Sequence, residues 1–329
     1  MAENFLISAC LLAALLASPL AAQQLEIHHI DVDQGDATLF VLPNGSTFLV
    51  DAGLDGKGAA AGAYIRSLGI DTVDAFVLTH YDADHLGGVD KLGVPIRTFF
   101  DRGGWTVPQS GSCQLCQYQQ LAVGSRTELT PGSTIALDPQ VSIRVVAVNS
   151  LVSLPSPFPE MTNADQENDR SVALMVSWEG FNYFIAGDLT RPVEDRLLLE
   201  AAIGDVDVYH VSHHAAETSS SNAFMQQIRP EVAIISNGDH GGFNHPRLAV
   251  LDTLQMVPGI TIFQTNRLAK VTNSSSGLVG GNVGNDDQIQ DLEPDGQDGA
   301  VVIRVSNNSY TVEVPRSGLV LSFAIELPD

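Results

Sequence analysis

An apolar run, Asp74-Ala-Phe-Val-Leu-Thr79, ends directly in His80-Tyr-Asp82-Ala-Asp84-His85, placing four potential metal ligands within six residues at the mouth of a buried strand. Two imidazoles and two carboxylates at one strand end suit hard or borderline cations such as Zn²⁺, Mn²⁺ or Fe²⁺. The bland alternative is a polar loop, but few structural roles need ligands at that density. Leu86-Gly87-Gly88-Val89 follows. Residues without Cβ predict a helix that starts close to the ligands.

The string H-x-D-A-D-H-x-G-G resembles the metallo-β-lactamase superfamily signature, with Asp82 where that superfamily usually has a second histidine. It is similar to the subgroup containing the metallo-hydrolase domain of ComEC-type DNA-uptake proteins. Further segments carry the same resemblance in the same order, from about Leu25 to Glu313. Ile30-Asp-Val-Asp33-Gln34-Gly35-Asp36-Ala37, the Asn44-Gly45 hairpin and Leu49-Val-Asp51-Ala52-Gly53 come first. Asn168-Asp169-Arg170-Ser171-Val172, Gly187-Asp188-Leu189, Val211-Ser-His213-His214 with Thr218 to Ser221, and His245-Pro246 follow. Of nine histidines, seven lie at or near these segments. Histidine is the commonest metal ligand.

The resemblance implies an αββα sandwich, two mixed sheets flanked by helices, holding two divalent metal ions, Zn or Mn. His80 and Asp82 would serve one ion, Asp84 and His85 the other, with Asp188 between them. For the adjacent pair His213 and His214 the expectation is one ligand and one histidine that supports it or touches substrate. Where the superfamily offers another histidine this chain has Asn168-Asp169, so Asn168, Asp169 or water fills that position. Asp84 or Asp188 would orient an attacking hydroxide made by the metals, and His245 would protonate a leaving group or bind an oxyanion. Asp33, Asp36 and Asp51 are supporting candidates, and His28, His29 and His210 read as structural. Ser219 to Ser221 precede a helix that they would cap, or whose N-terminus would hold a phosphate oxygen.

Alternating patterns place strands near 26–32, 37–42, 47–51, 75–79 and 96–100, then 141–148, 171–178, 182–186, 206–211 and 232–236. Helical stretches fall near 58–68, 192–202, 222–228 and 247–256. Residues 1–22, Leu/Ala-rich and ending in Ser-Pro-Leu-Ala-Ala, read as a signal peptide without the usual basic start. This leaves 23–329 as one domain with no further membrane-spanning run, in a secreted or periplasmic protein. In that compartment Cys113-Gln-Leu-Cys116 reads as a local disulfide. Residues 272–297, rich in Gly, Ser, Asn and Asp, read as a flexible acidic insertion.

With 16 basic against 39 acidic residues, net −23, tight binding of long nucleic acid is disfavoured, since it depends on cationic groups releasing counterions. The expectation is an exported dinuclear-metal hydrolase acting on a small or short phosphodiester. Its alternatives are a lactonase or β-lactamase-like acyl hydrolase and a non-catalytic metal-binding extracellular module.

Overall fold

The computed structural model describes residues 24–107, 109, 111–152, 167–200, 202–238, 243–269, 279–293 and 299–325. The signal peptide read at 1–22 lies outside the described residues, as does His240. In chain order the strands of the first half are β1 (Leu25–Ile30), β2 (Thr38–Val41), β3 (Thr47–Val50), β4 (Val73–Val77), β5 (Ile96–Asp101) and β6 (Arg126–Glu128). A second series comprises β7 (Ser142–Val148), β8 (Leu151–Val152), β9 (Ala173–Trp178), β10 (Phe181–Ile185), β11 (Val208–His210), β12 (Val232–Ile235), β13 (Thr261–Asn266) and β14 (Ile289–Asp291). β15 (Ala300–Ser306), β16 (Ser309–Val314) and β17 (Leu319–Ala324) then return to the first sheet, on the far side of β1.

The first sheet has the order β17-β16-β15-β1-β2-β3-β4-β5-β6 and the second β14-β13-β12-β11-β10-β9-β7-β8. Both are mixed, as predicted: β3 to β6 and β10 to β14 run parallel, and the remaining pairs antiparallel. Asn44-Gly45 makes the β2–β3 turn, where Gly45 has the positive φ of 85° that such a turn needs.

Period-two alternation builds the layers. Ala75 and Val77 of β4 enter the core between the sheets together with Phe181, Tyr183 and Ile185 of β10. Phe76 faces outward to a second cluster under α1 (Gly58–Ser67) and α3 (Gln114–Ala122), the latter following the short α2 (Ala83–Leu86). Phe184 faces the opposite way, to a third cluster under α4 (Arg191–Leu199), α5 (Asn222–Ile228) and α6 (Leu248–Gln255). Each fully buried Val, Ile or Phe among them stabilises the fold by roughly 1.5–3 kcal/mol. The result is the four-layer sandwich, with the loops after β4, β10, β11 and β12 gathered at one edge.

Two local expectations change. What starts at Gly87-Gly88 is only a short 3₁₀ turn, Val89–Lys91 with Gly88 as its N-cap; α2 precedes the glycines and carries Asp84 and His85, and the glycines are the landing place of α1. A Cβ on Gly88 would stand 2.1 Å from the Ala52 carbonyl, and one on Gly58 1.9 Å from the Gly88 carbonyl, so the glycines serve close backbone packing. Nor is the whole of 272–297 a solvated insertion. Residues 279–293 pack: β14 extends the second sheet beside β13, Ile289 is fully buried, and the Asn282 amide both donates to and accepts from the Leu268 backbone. Sparse apolar anchors, Val283 and Ile289, suffice once a strand edge is available to pair with. Cys113 and Cys116 form the expected disulfide at the start of α3.

Candidate metal centre

His80 follows β4 and is completely buried. Its turn is held by Arg102, whose guanidinium makes two 2.7 Å bonds to Glu167 and lies 3.9 Å over the Tyr81 ring, while Glu167 also accepts from the Tyr81 amide. Asp51, after β3, accepts from the Thr79 amide and hydroxyl and meets His85 Nδ1 at 2.8 Å, which turns His85 Nε2 towards the opposite sheet. Asp188 arrives from the second sheet on the turn after β10. Gly187 has φ 48° there, and a Cβ would stand 2.5 Å from Thr79 Oγ1, so glycine is required for the two sheets to meet.

His213, His214 and Ala215 occupy three successive left-handed positions, φ 53°, 51° and 62°. Such residues cost roughly 1–2 kcal/mol each, and here they turn both imidazoles to Asp188. The two carboxylate oxygens of Asp188 face different partners. Oδ2 lies 3.6 Å from His213 Nε2 and 3.9 Å from His80 Nε2; Oδ1 lies 3.1 Å from His85 Nε2 and 3.5 Å from His214 Nε2. Asp84 Oδ2 stands 3.2 Å from His214 Nε2.

The atoms that converge are unpartnered. His80 Nε2, His85 Nε2, His214 Nε2 and Asp188 Oδ1 are all buried without a hydrogen bond. Leaving such groups unsatisfied costs about 1–3 kcal/mol apiece, and a cation is the one kind of ligand that satisfies three imidazole lone pairs and a carboxylate together. His80/His85/Asp188, Asp84/His85/His214 and Asp36/Asp188/His214 each bring ligand atoms close enough to hold an ion. The donor set therefore fits divalent metal.

Charge points the same way. Burial alone would push His85 and His214 down, but Asp188 with Asp51 raises His85 and Asp188 with Asp36 raises His214, both well above the ordinary imidazole range. Burial pushes Asp188 up and the three histidines His85, His214 and His213 overcome it, holding its carboxyl well below the usual value. These acids demand positive charge. Burial, reinforced by His214 and His213, drives His245 down to about 3, so it is a neutral imidazole at pH 7.

Several predicted residues fall elsewhere than expected. Asp82 sits at the rim, 3.7 Å from His80 Nε2 with its side chain 46 % exposed. Asn168 Nδ2 is 3.3 Å from His213 Nε2, whereas Asp169 turns away to accept from the Thr190 hydroxyl, so of this pair only Asn168 reaches the cluster. Both His213 and His214 approach Asp188, but of the two only His214 joins the groups whose ligand atoms converge. Protonation of a leaving group by His245 fits poorly with its lowered pKa; donation of a neutral N–H remains open to it. Ser221 caps α5 through the Phe224 amide, and the amides of Ser220 and Ser221 bond to the buried Glu194 carboxylate, which takes the place given to a phosphate oxygen. Glu194 had no sequence signal, being remote in α4.

Asp36, expected only to support the site, is buried with Oδ1 at 3.4 Å from His214 Nδ1, which also lies 2.9 Å from the Ser236 carbonyl. Gln34 was missed: its amide donates to Asp84 Oδ2 at 3.4 Å. The Gln34-Gly35-Asp36 spelling within a polar turn was the available signal.

Residues 30–93 match the family model described as the metallo-beta-lactamase superfamily. The chain is similar to ComE operon protein 3 of Bacillus subtilis, 26% identical over 58% of this chain and 23% of that protein. It is also similar to recombination protein 2 of Haemophilus influenzae, 25% identical over 73% of this chain and 28% of that protein. The chain thus spans about a quarter of the length of these curated relatives. Among solved structures, the metallo-beta-lactamase fold protein YhfI from Bacillus subtilis aligns with a TM-score of 0.45 at 11% identity, over 73% of this chain and 96% of that one. The His/Asp clusters lie at the mouth of this sandwich, residues 30–93 are similar to the metallo-beta-lactamase superfamily, and more than half of the chain is similar to ComE operon protein 3 and recombination protein 2.

Proposed function

We propose that this protein is an exported hydrolase that uses two divalent cations, Zn or Mn, to cleave a phosphodiester. The observation that carries the reading is the division of Asp188: each carboxylate oxygen faces its own pair of imidazoles, which supports a ligand shared between two ions. His80 and His213, with Asp82 and Asn168 at the margin, would hold one ion; His85, His214 and Asp84 would hold the other. Bound cations supply Lewis acidity and acidify water toward neutral pH.

The chain's own groups do the rest. Asp51 and Asp36 fix the Nδ1 sides of His85 and His214, leaving Nε2 as the ligand atom. Asp84, steadied by the Gln34 amide, is placed to orient the attacking water. His245, neutral by virtue of its surroundings, would donate an N–H to the developing oxyanion. The leader-like segment at 1–22 and the acidic composition support export, and the same acidity favours a small or short substrate over long nucleic acid.

Elemental analysis after mild purification should give well over one metal equivalent per chain. Metal-loaded protein is to be screened on bis-p-nitrophenyl phosphate, single-stranded DNA, a homoserine lactone and a chromogenic cephalosporin. Diester hydrolysis that disappears in Asp84→Asn supports the reading; an active metal-free enzyme, or turnover of the lactone alone, overturns it.

A further inference from the structure

Arg247, which precedes α6, is 8 % exposed, and its Nη1 is buried without a hydrogen-bond partner. Acidic residues outnumber basic ones 39 to 16, and the other buried arginines are met by them: Arg102 by Glu167 and Arg196 by Glu200. Among the described residues no ion pair forms with Arg247. Of the guanidinium nitrogens Nη1 alone is buried without a hydrogen bond, and a charged donor that loses its hydration without gaining a partner is disfavoured.

Its place in the fold says what is missing. The Arg247 amide donates to the Ala215 carbonyl at 3.0 Å, directly after the turn that carries His213 and His214. Two residues back, the His245 ring lies 5.6 Å from that of His213 and 6.3 Å from that of His214. His245 Nδ1 is itself buried and unpartnered. A fixed cation and an unpartnered imidazole nitrogen thus adjoin the cluster on one short segment.

We infer that Arg247 is the anion-binding residue of this site, taking a non-bridging oxygen of the ester, so that the substrate class is an ester that stays negatively charged. This rests on the hydrolase reading and narrows it. A guanidinium presents donors in a fixed fork that matches phosphate oxygens, whereas a lactone or neutral acyl ester offers no charge to neutralise.

The test compares wild type, Arg247→Met and Arg247→Lys. Inorganic phosphate binding to the protein as purified, read by calorimetry, should weaken about tenfold to a hundredfold in Arg247→Met, the range of a hydrogen bond to a charged group. Arg247→Lys should recover part of it. With bis-p-nitrophenyl phosphate the loss should appear in KM, while kcat/KM for neutral p-nitrophenyl acetate changes less than twofold. Where Arg247→Met fails to fold, Arg247→Gln and Arg247→Lys carry the comparison. Unchanged phosphate affinity across the series, no phosphate binding by wild type, or equal losses on charged and neutral esters each overturn the inference. Arg247-dependent phosphate binding in a protein that hydrolyses neither ester would sink the hydrolase reading and leave the anion site. Strong diester hydrolysis indifferent to Arg247 would do the reverse.

Discussion

His210 and His214 are four residues apart, equally buried, and both face Asp36 Oδ1, at 3.7 and 3.4 Å. Yet burial wins at His210, whose pKa falls, while carboxylates win at His214, whose pKa rises far above normal. The difference lies in what else each ring meets. His210 Nε2 has Ser236 Oγ at 2.8 Å, and its ring packs 5.0 Å from His29, which in turn meets the Tyr183 hydroxyl. His214 Nε2 has no hydrogen bond and two further acids, Asp84 and Asp188, within 3.5 Å. Burial beside one acid makes a packed histidine; convergence of several acids on an unpartnered nitrogen makes a candidate ligand.

Asp188 is the acid that separates the two rings, so its removal should have the largest effect. Asp188→Ala should lose hydrolysis by about three orders of magnitude or more and lose bound metal, because two cations repel strongly without the carboxylate between them. Near-normal turnover with full metal content would break the distinction at its root.

Exchanging the two histidines sharpens it. His214→Ala should lose at least one metal equivalent by elemental analysis. His210→Ala should keep its metal and lose about 1–3 kcal/mol of stability in denaturant unfolding, since Asp36 and Ser236 are left short of a partner. Equal metal loss in both variants would mean that His210 belongs to the site.

The sandwich and the ligand strings were legible in the sequence because both are local: alternation fixes strand faces, and a strand end crowded with His and Asp has few other uses. His80 and His85 needed only that, whereas Asp188 came from the resemblance of Gly187-Asp188-Leu189 to a family element. What each ligand leans on was not legible in the same way. Asp36 and Gln34 lie in a turn whose approach to His214 and Asp84 exists only after the sheets pack, and Glu194 reaches the serine turn from another helix. The packed part of 272–297 was hidden because its composition is polar on average, while its stability comes from pairing β14 to an edge that the sequence does not reveal. Arg247 was visible as a basic residue near a motif; its lack of a partner is a property of the folded chain.

A smaller effect is expected at Asp36, which supports His214 from behind. Asp36→Asn keeps the shape and removes the charge, and loss of such a partner typically weakens metal affinity by about 10- to 100-fold. Competition with a chelator would measure it. If the variant instead releases metal as completely as His214→Ala, Asp36 is itself a ligand.

The smallest effect concerns a pair of acids outside the cluster, which contrasts with it. Asp31 and Asp291, each 1 % exposed, meet where the end of β1 approaches β14, and the Asn266 amide donates to Asp31. Burial, with Asp291 adding to it, holds the Asp31 carboxyl far above the usual range. The neighbour that acts on Asp31 here is another carboxyl, not an imidazole, and it favours the protonated form. The folded state therefore holds a proton that the unfolded chain releases near pH 4, so this contribution is full below that pH and is lost as pH rises toward the folded pKa. Asp31→Asn mimics the protonated form at every pH. The Tm of the variant minus that of wild type should be near zero at pH 4 and become increasingly positive towards pH 8, whatever the other groups contribute to both. A difference that is flat or falls with pH would show the pair to be ionised and neutralised by another group, and the contrast with the cluster would be lost.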